Sequence, residues 1–318
     1  MQDQPIKSQI LVFVASTWMF ICLTATSSAQ DLPAAFRAFE SAADAPVFTS
    51  SPGEWDALIR ERGWILKDGE DYRLWYTGYN QDRQPVSMKL GYATSPDGIT
   101  WTRHPRNPIF DDAWVEDVMI VKHKATLYMF AEGAKDQPQL LKSTDGIAWQ
   151  RMGALDVRHA DGTKIAAGPY GTPTAFFEDG TWYLFYERRD QGIWLATSRD
   201  MGVWTNVSDE PLIIPGPGAY DKLMIAMNQV IKYEGRYYAV LHGTGSPAKP
   251  RDWCTYMAVS DDLRAWKKCS SGPLLPVQDN KSSGQLVHDD RQFRLYTMHG
   301  RVDLHVPSGR AVPSTQKN

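Results

Sequence analysis

Three acidic stations carry the chemistry this chain could do. Asp56 stands in "GEWDALI", Glu116 and Asp117 in "AWVEDVMI", and Glu187 in "LFYERRD". Two carboxyl groups facing each other across a wet cavity can break a glycosidic bond. One protonates the departing oxygen, and the other activates water or attacks carbon. Other side chains would line the same cavity: Thr172, Glu132, Arg188, His242 and His299, with Trp55 and Trp114 beside the acids as faces on which a sugar could stack. The bland alternatives are a turn cap at Asp56, backbone capping by Asp117, and pairing of Glu187 or Glu132 with nearby arginines. Glu116 and Asp117 are neighbours on a strand, so alternation predicts that only one of them points inward.

What could bring such distant residues together is a repeated phrase. "ATSPDGITW" ends at Trp101 and "LKSTDGIAW" at Trp149; looser copies, "ATSRDMGVW" and "AVSDDLRAW", end at Trp204 and Trp266. Each copy follows two runs of β-branched and aromatic residues separated by a tight turn, as in "TAFFEDGTWYLFYERR". Each phrase adds a third strand, a turn and a fourth strand beginning at Trp. The unit is four antiparallel strands, and its recurrence at roughly 50 residues marks a β-propeller. Its Asp-Gly turns are scaffold, and its Trp is expected to pack between blades.

A fifth, poorer unit reads "SGQLVHDDRQFRLYTMHGRVDLHV". A strand from the segment near 36–49 would complete it. The expected fold is therefore all-β, a five-bladed propeller over 50–306, preceded by an N-terminal segment (30–49) and followed by a short tail (307–318). In a propeller the first strands line the channel, and the residues before them and after the second strands share one rim. Asp56, Asp117, Thr172, Glu187, His242 and His299 all fall at such rim positions, as do Asp221, Asn228 and Lys281.

With the blades in place, the chain resembles the five-bladed glycosidases of glycoside hydrolase families 43, 32 and 68, with families 117 and 130 as neighbours. The likeness rests on "WYTGY…LGYATSPDGITW", "WVEDVMIV" and "LFYERRDQGIWLATSRD". By position it implies Asp56 as base or nucleophile and Asp117 as the tuning acid, with Glu187 the nearest substitute for the proton donor. Replacing Asp56 by Asn should then abolish turnover and spare the fold. Where family 43 carries its acid, at the start of the third blade, this chain reads "YGTPTAF". Glu187 or a histidine, His242 or His299, would have to serve instead. The resemblance implies an oligo- or polysaccharide substrate. A phosphorylase of the family 130 type, with Arg188, Arg189 and Lys222 holding phosphate, and a non-catalytic sugar-binding propeller are the rival readings.

Composition excludes several other classes. The 318 residues carry a net charge of −3, which gives no sign of a nucleic-acid face. Twelve Trp and fourteen Tyr suit strands and sugar platforms alike. No HExxH, CxxC or phosphate-loop pattern occurs, no metal ligand set is evident, and no cofactor is implied; a Ca²⁺ on the propeller axis would suit the architecture, but the sequence shows no ligands for it. At the N-terminus, Lys7, an apolar run from Ile10 to Leu23 and "SSAQ" read as an export signal over 1–29, cleaved after Ala29. The mature protein is then expected in a secreted or periplasmic setting, with no membrane attachment. Cys254 and Cys269 flank one hairpin and are expected either to bridge its strands or to stay unpaired.

Overall fold

The computed structural model describes residues 32–165 and 170–309. The proposed export signal and most of the tail lie outside the described residues. Among those described, helix is confined to two single 3₁₀ turns, and no helix is long and apolar enough to cross a membrane.

Five antiparallel sheets form five blades. The first has Trp64–Asp68, Asp71–Tyr79, Lys89–Ser95 and Thr102–Arg103 as its successive strands, with Leu58–Ile59 added beside Tyr79. The second runs Glu116–His123, Thr126–Gly133, Gln137–Ser143 and Gln150–Ala154. The third runs Thr174–Glu178, Thr181–Glu187, Ile193–Ser198 and Trp204–Asn206, with the short Val157–Arg158 parallel to its edge. The fourth runs Met224–Tyr233, Arg236–Thr244, Trp253–Ser260 and Trp266–Pro273. The fifth has Gln285–His288, Phe293–Met298 and Val302–Pro307, and its fourth strand is Phe39–Ser41 from the N-terminal segment. Each innermost strand contacts the next around a closed circuit, the fifth meeting the first.

The core lies between blades rather than in a centre. One buried cluster joins blades one to three, a second joins three and four, a third joins five and one, and a fourth joins four and five. The repeated phrase supplies much of this contact. Trp149 meets Trp75 edge-on, Trp204 meets Phe130, and Trp266 meets Phe185, each across to the preceding blade. Within the turn, Asp97 Oδ1 accepts the amides of Ile99 and Thr100, and Asp145 and Asp262 repeat the arrangement. A short acidic side chain does this well because it satisfies backbone donors that a tight turn leaves open.

Glutamine side chains stitch the innermost strands. Gln229 exchanges two hydrogen bonds with the Leu286 backbone, and Gln285 exchanges two with Ile65, which closes the circuit. No disulfide joins Cys254 to Cys269. The two side chains occupy different interblade clusters, Cys254 with blade three and Cys269 with blade five, so they lie on opposite faces of their sheet.

Candidate active site at the hub

The hub has a stricter period than the Trp phrases. Arg62, Asp117, Thr172, Asn228 and Ser283 precede or open the five innermost strands at intervals of 55 or 56 residues. Thr77, Glu132, Glu187, His242 and Thr297 stand near the ends of the five second strands, 55 residues apart in every case. All ten are buried. Arg62, Asp117, Thr172 and Ser283 share a left-handed backbone (φ 56°, 50°, 48° and 50°), rare for side chains with a Cβ. At Asn228 a bulge in the strand does the same work.

Arg62 ties the hub together. Its Nη2 donates to the Pro173 carbonyl (2.8 Å) and to Thr174 Oγ1 (2.6 Å), and its Nη1 to the Asp117 carbonyl (3.2 Å). Thr174 Oγ1 passes the chain on to the Met227 carbonyl (2.7 Å). One guanidinium therefore links blade one to blades two and three and, through the Asn228 carbonyl (3.4 Å) as well as through Thr174, to blade four. Burial pulls it down to about 10, and the surrounding carboxylates of Asp117, Glu132, Glu187 and Glu61 oppose that pull, so it stays cationic at neutral pH.

The acids around it differ sharply in protonation. Burial, with Glu61 and Glu116 close by, holds the Asp117 carboxyl well above its usual range. Glu132 is likewise raised by burial and by Asp117, although Thr172 N–H donates to its Oε2 at 3.0 Å. Glu187 is pushed up to about 7 by burial and by Asp190, against hydrogen bonds from the Gly171 (2.9 Å) and Asp190 amides. Asp190 itself rises to about 6 through burial and then Glu61. Glu61 moves the other way. Burial raises it, but the His299 hydrogen bond and the Arg60 charge outweigh burial and bring it down to about 2. Its side chain is 20% exposed, so it and the half-buried Asp190 are the acids of the group open to solvent, Glu61 beside the exposed His299.

Several of the residues singled out from sequence meet here. Asp117, Glu116, Glu132 and Glu187 form one electrostatic group. Alternation fails at Glu116–Asp117 because the strand bulges between Glu116 and Met119, so both acids are turned toward the group. Glu116 is held by Arg60 Nε (2.8 Å) and by the indole N–H of Trp114 (2.7 Å), so Trp114 orients an acid. Thr172 acts through its amide on Glu132. His242 is pulled down to about 4 by burial; its Nδ1 lies 2.8 Å from Asn228 Oδ1, and its ring stands edge-on to Trp253. His299 Nδ1 lies 3.0 Å from Ser282 Oγ and 3.2 Å from Glu61 Oε2.

Others are placed elsewhere. Asp56 Oδ2 accepts from Tyr76 OH and from Arg103 Nε, both at 3.0 Å, and so bonds toward the outer strand of blade one, away from the hub. Trp55 stacks on Tyr76 and borders a separate pocket with Asn80 and Arg83. Arg188 lies over the Trp194 ring of a third strand, 5.9 Å away, and Lys222 is exposed just ahead of blade four. Glu61, Arg60, Arg62 and Asp190 were missed from sequence. Stepping back 55 residues from Asp117 lands on Arg62, and from Glu116 on Glu61, so the hub period would have found two of them.

Glu116, Glu132 and Asp136 each bring an oxygen within 4.8 Å of the others, spacing a hard cation could use. Glu116 already has both oxygens engaged, and Glu132 has one on the Thr172 amide.

No family model matches the chain. Two uncharacterized proteins of Mycobacterium tuberculosis, MT1551 and Rv1502, are 28% identical over 109 residues; the match spans 31% of this chain and 36% of theirs. Among solved structures, a candidate glycoside hydrolase from Parabacteroides distasonis superimposes with a TM-score of 0.72 at 16% identity, covering 86% of this chain and 97% of that one. A glycosyl hydrolase from Bacteroides ovatus gives 0.71 at 16%, covering 89% and 97%. The β-1,2-mannobiose phosphorylase of Listeria innocua gives 0.64 at 15%, covering 84% and 95%. These likenesses show a shared fold, the five-bladed propeller. Within this fold the acids of the present chain sit around Arg62, where the first and second strands of separate blades converge.

Proposed function

We propose that the hub is the active site of a glycoside hydrolase acting on an oligo- or polysaccharide, in a protein exported after cleavage following Ala29. The observation that carries this reading is that two acids from different blades are held in opposite surroundings: Glu61 pairs with His299 and Arg60 and is drawn down to about 2, while Glu187 is buried beside Asp190 and driven up to about 7. Environments that drive two carboxyls apart in this way assign one as donor and one as charged partner.

In this scheme Glu187 is a carboxylic acid at mildly acidic pH. It gives its proton to the glycosidic oxygen as the carbon–oxygen bond breaks. Glu61 remains a carboxylate, faces the positive charge developing on the sugar ring, and receives the proton of the water that adds to carbon. Water bonding to such a carbon becomes strongly acidic, so a weakly basic carboxylate suffices. Asp117 takes the tuning role, since its charge state sets that of Glu132. Asp56, engaged by Arg103 and Tyr76, takes a structural one.

A phosphorylase remains the second reading, supported by Arg60, 41% exposed and next to Glu61 and Glu116. The deciding experiment screens the protein and its Glu187→Gln and Glu61→Gln variants on aryl-glycosides and plant or algal oligosaccharides, with and without phosphate. Hydrolysis lost in both variants supports the proposal. Turnover only with phosphate selects the phosphorylase. Binding without cleavage in the unaltered protein leaves a sugar-binding module.

A further inference from the structure

A pocket of ≈ 330 Å³ opens beside His299, lined by blade five and the turn that leads into it. Its wall carries Lys281, Arg301 and Asp303. Lys281 Nζ lies 2.7 Å from Asp303 Oδ2, and Arg301 Nε lies 3.2 Å from the same oxygen. Two cations thus share one carboxylate, and Asp279 is the other acid, at the exposed edge. His299 belongs to this pocket and also bonds Glu61, so the pocket adjoins the hub acids. Its floor is fixed: Asn280 Oδ1 accepts the Trp253 amide (2.8 Å), and the Lys281 carbonyl accepts Thr255 Oγ1 (3.0 Å).

We infer that this pocket binds the anionic group of a sugar next to the scissile bond, a uronate carboxylate or a sulfate ester. The inference rests on the glycosidase reading of the hub and names its substrate class. A sugar-sized space with two donors of fixed charge and a histidine suits an acidic sugar better than a neutral one. Asp303 occupies the donors as an internal stand-in when no ligand is bound, so its removal should expose both cations.

The test reads binding, so it does not depend on turnover. The Glu187→Gln protein is titrated by calorimetry with oligogalacturonate, a sulfated galactan oligosaccharide, and a neutral xylo-oligosaccharide of equal length. The expected result is at least about tenfold tighter binding of one acidic ligand than of the neutral one, weakening with salt. Adding Arg301→Gln or Lys281→Met should remove that preference, and adding Asp303→Asn should strengthen it. Equal affinity for acidic and neutral ligands, or a preference untouched by Arg301→Gln and Lys281→Met, overturns the inference. The two arms separate carboxylate from sulfate. Acidic preference without hydrolysis by the unaltered protein upholds the pocket and sinks the hydrolase reading; hydrolysis with no acidic preference does the reverse.

Discussion

Glu61 Oε2 lies 3.2 Å from Nδ1 of His299, and this contact couples a part-exposed acid of the hub to blade five. The hydrogen bond, together with Arg60, keeps Glu61 below its ordinary 4.5. His299→Ala should raise the Glu61 carboxyl and shift the acid limb of the pH–rate profile upward, with little loss of fold because His299 is exposed. The linkage sign follows: a carboxyl lowered on folding adds stability above pH 4.5 that is lost as pH falls toward 2. Denaturant melts of wild type and Glu61→Gln over that window should converge as the pH drops.

Glu187 titrates in the opposite sense. Its carboxyl rises from 4.5 to about 7 on folding, so its contribution is fully present below pH 4.5 and disappears as pH climbs through 7. The shift corresponds to roughly 3 kcal/mol across that window. Glu187→Gln should flatten the loss of stability between pH 4.5 and 7. Turnover by the unaltered protein should fall as pH rises past about 7, as the donor loses its proton.

Gly171 has no room for a side chain. A Cβ there would meet Glu132 Oε2 at 2.0 Å and Glu187 Oε1 at 2.8 Å. Gly171→Ala must push both carboxyls aside. The expected outcome is a folded protein, by circular dichroism, whose turnover falls on the order of a hundredfold, the usual scale for displacing a reacting group.

Arg62→Met removes the cation on which Asp117, Glu132, Glu187 and Glu61 depend, and leaves the Pro173 and Asp117 carbonyls without their donor. Breaking a buried charge network typically costs about 3–5 kcal/mol. A chemical melt should show that loss or no folded protein at all. Arg62→Lys should not rescue it, since one ammonium cannot reproduce a fork of donors to three blades.

Asp56→Asn should act on stability and leave turnover close to wild type, because its partners are Tyr76 and Arg103. A lower melting temperature with unchanged kcat is the expected pair of readings. Abolished turnover in a stably folded variant would return Asp56 to the mechanism.

The scaffold was legible because its signals are local. A Ser–Asp turn and a following Trp lie within one hairpin, and the sequence shows them four times, twice with Asp-Gly. The site was less legible because it is assembled by long-range geometry. The period was read from the Trp positions, which sit on outer hairpins where loop lengths vary; the hub repeats more strictly, and only there does Glu61 align with Glu116. Alternation also misjudged Glu116 and Asp117, since a bulge is invisible in a two-residue pattern. Asp56 had the right type and place in the chain, but Arg103, 47 residues later, claims it. Glu187, Asp117 and the two histidines could be placed near one another from sequence because the ends of strands converge on an axis whatever the loops do.

The pairing of Phe39 with Pro307 and of Ser41 with His305 has a consequence for how the molecule is made. The last sheet cannot gain its outer member locally; the chain must return to a segment synthesised long before. Until it does, Val302–Pro307 presents an open row of amides and carbonyls, the kind of border along which separate chains zip together. Closing so distant a seam is slow relative to hairpin formation. Shortening or destabilising that early segment should therefore show itself first as clumping during refolding, before any loss in the finished molecule is measurable.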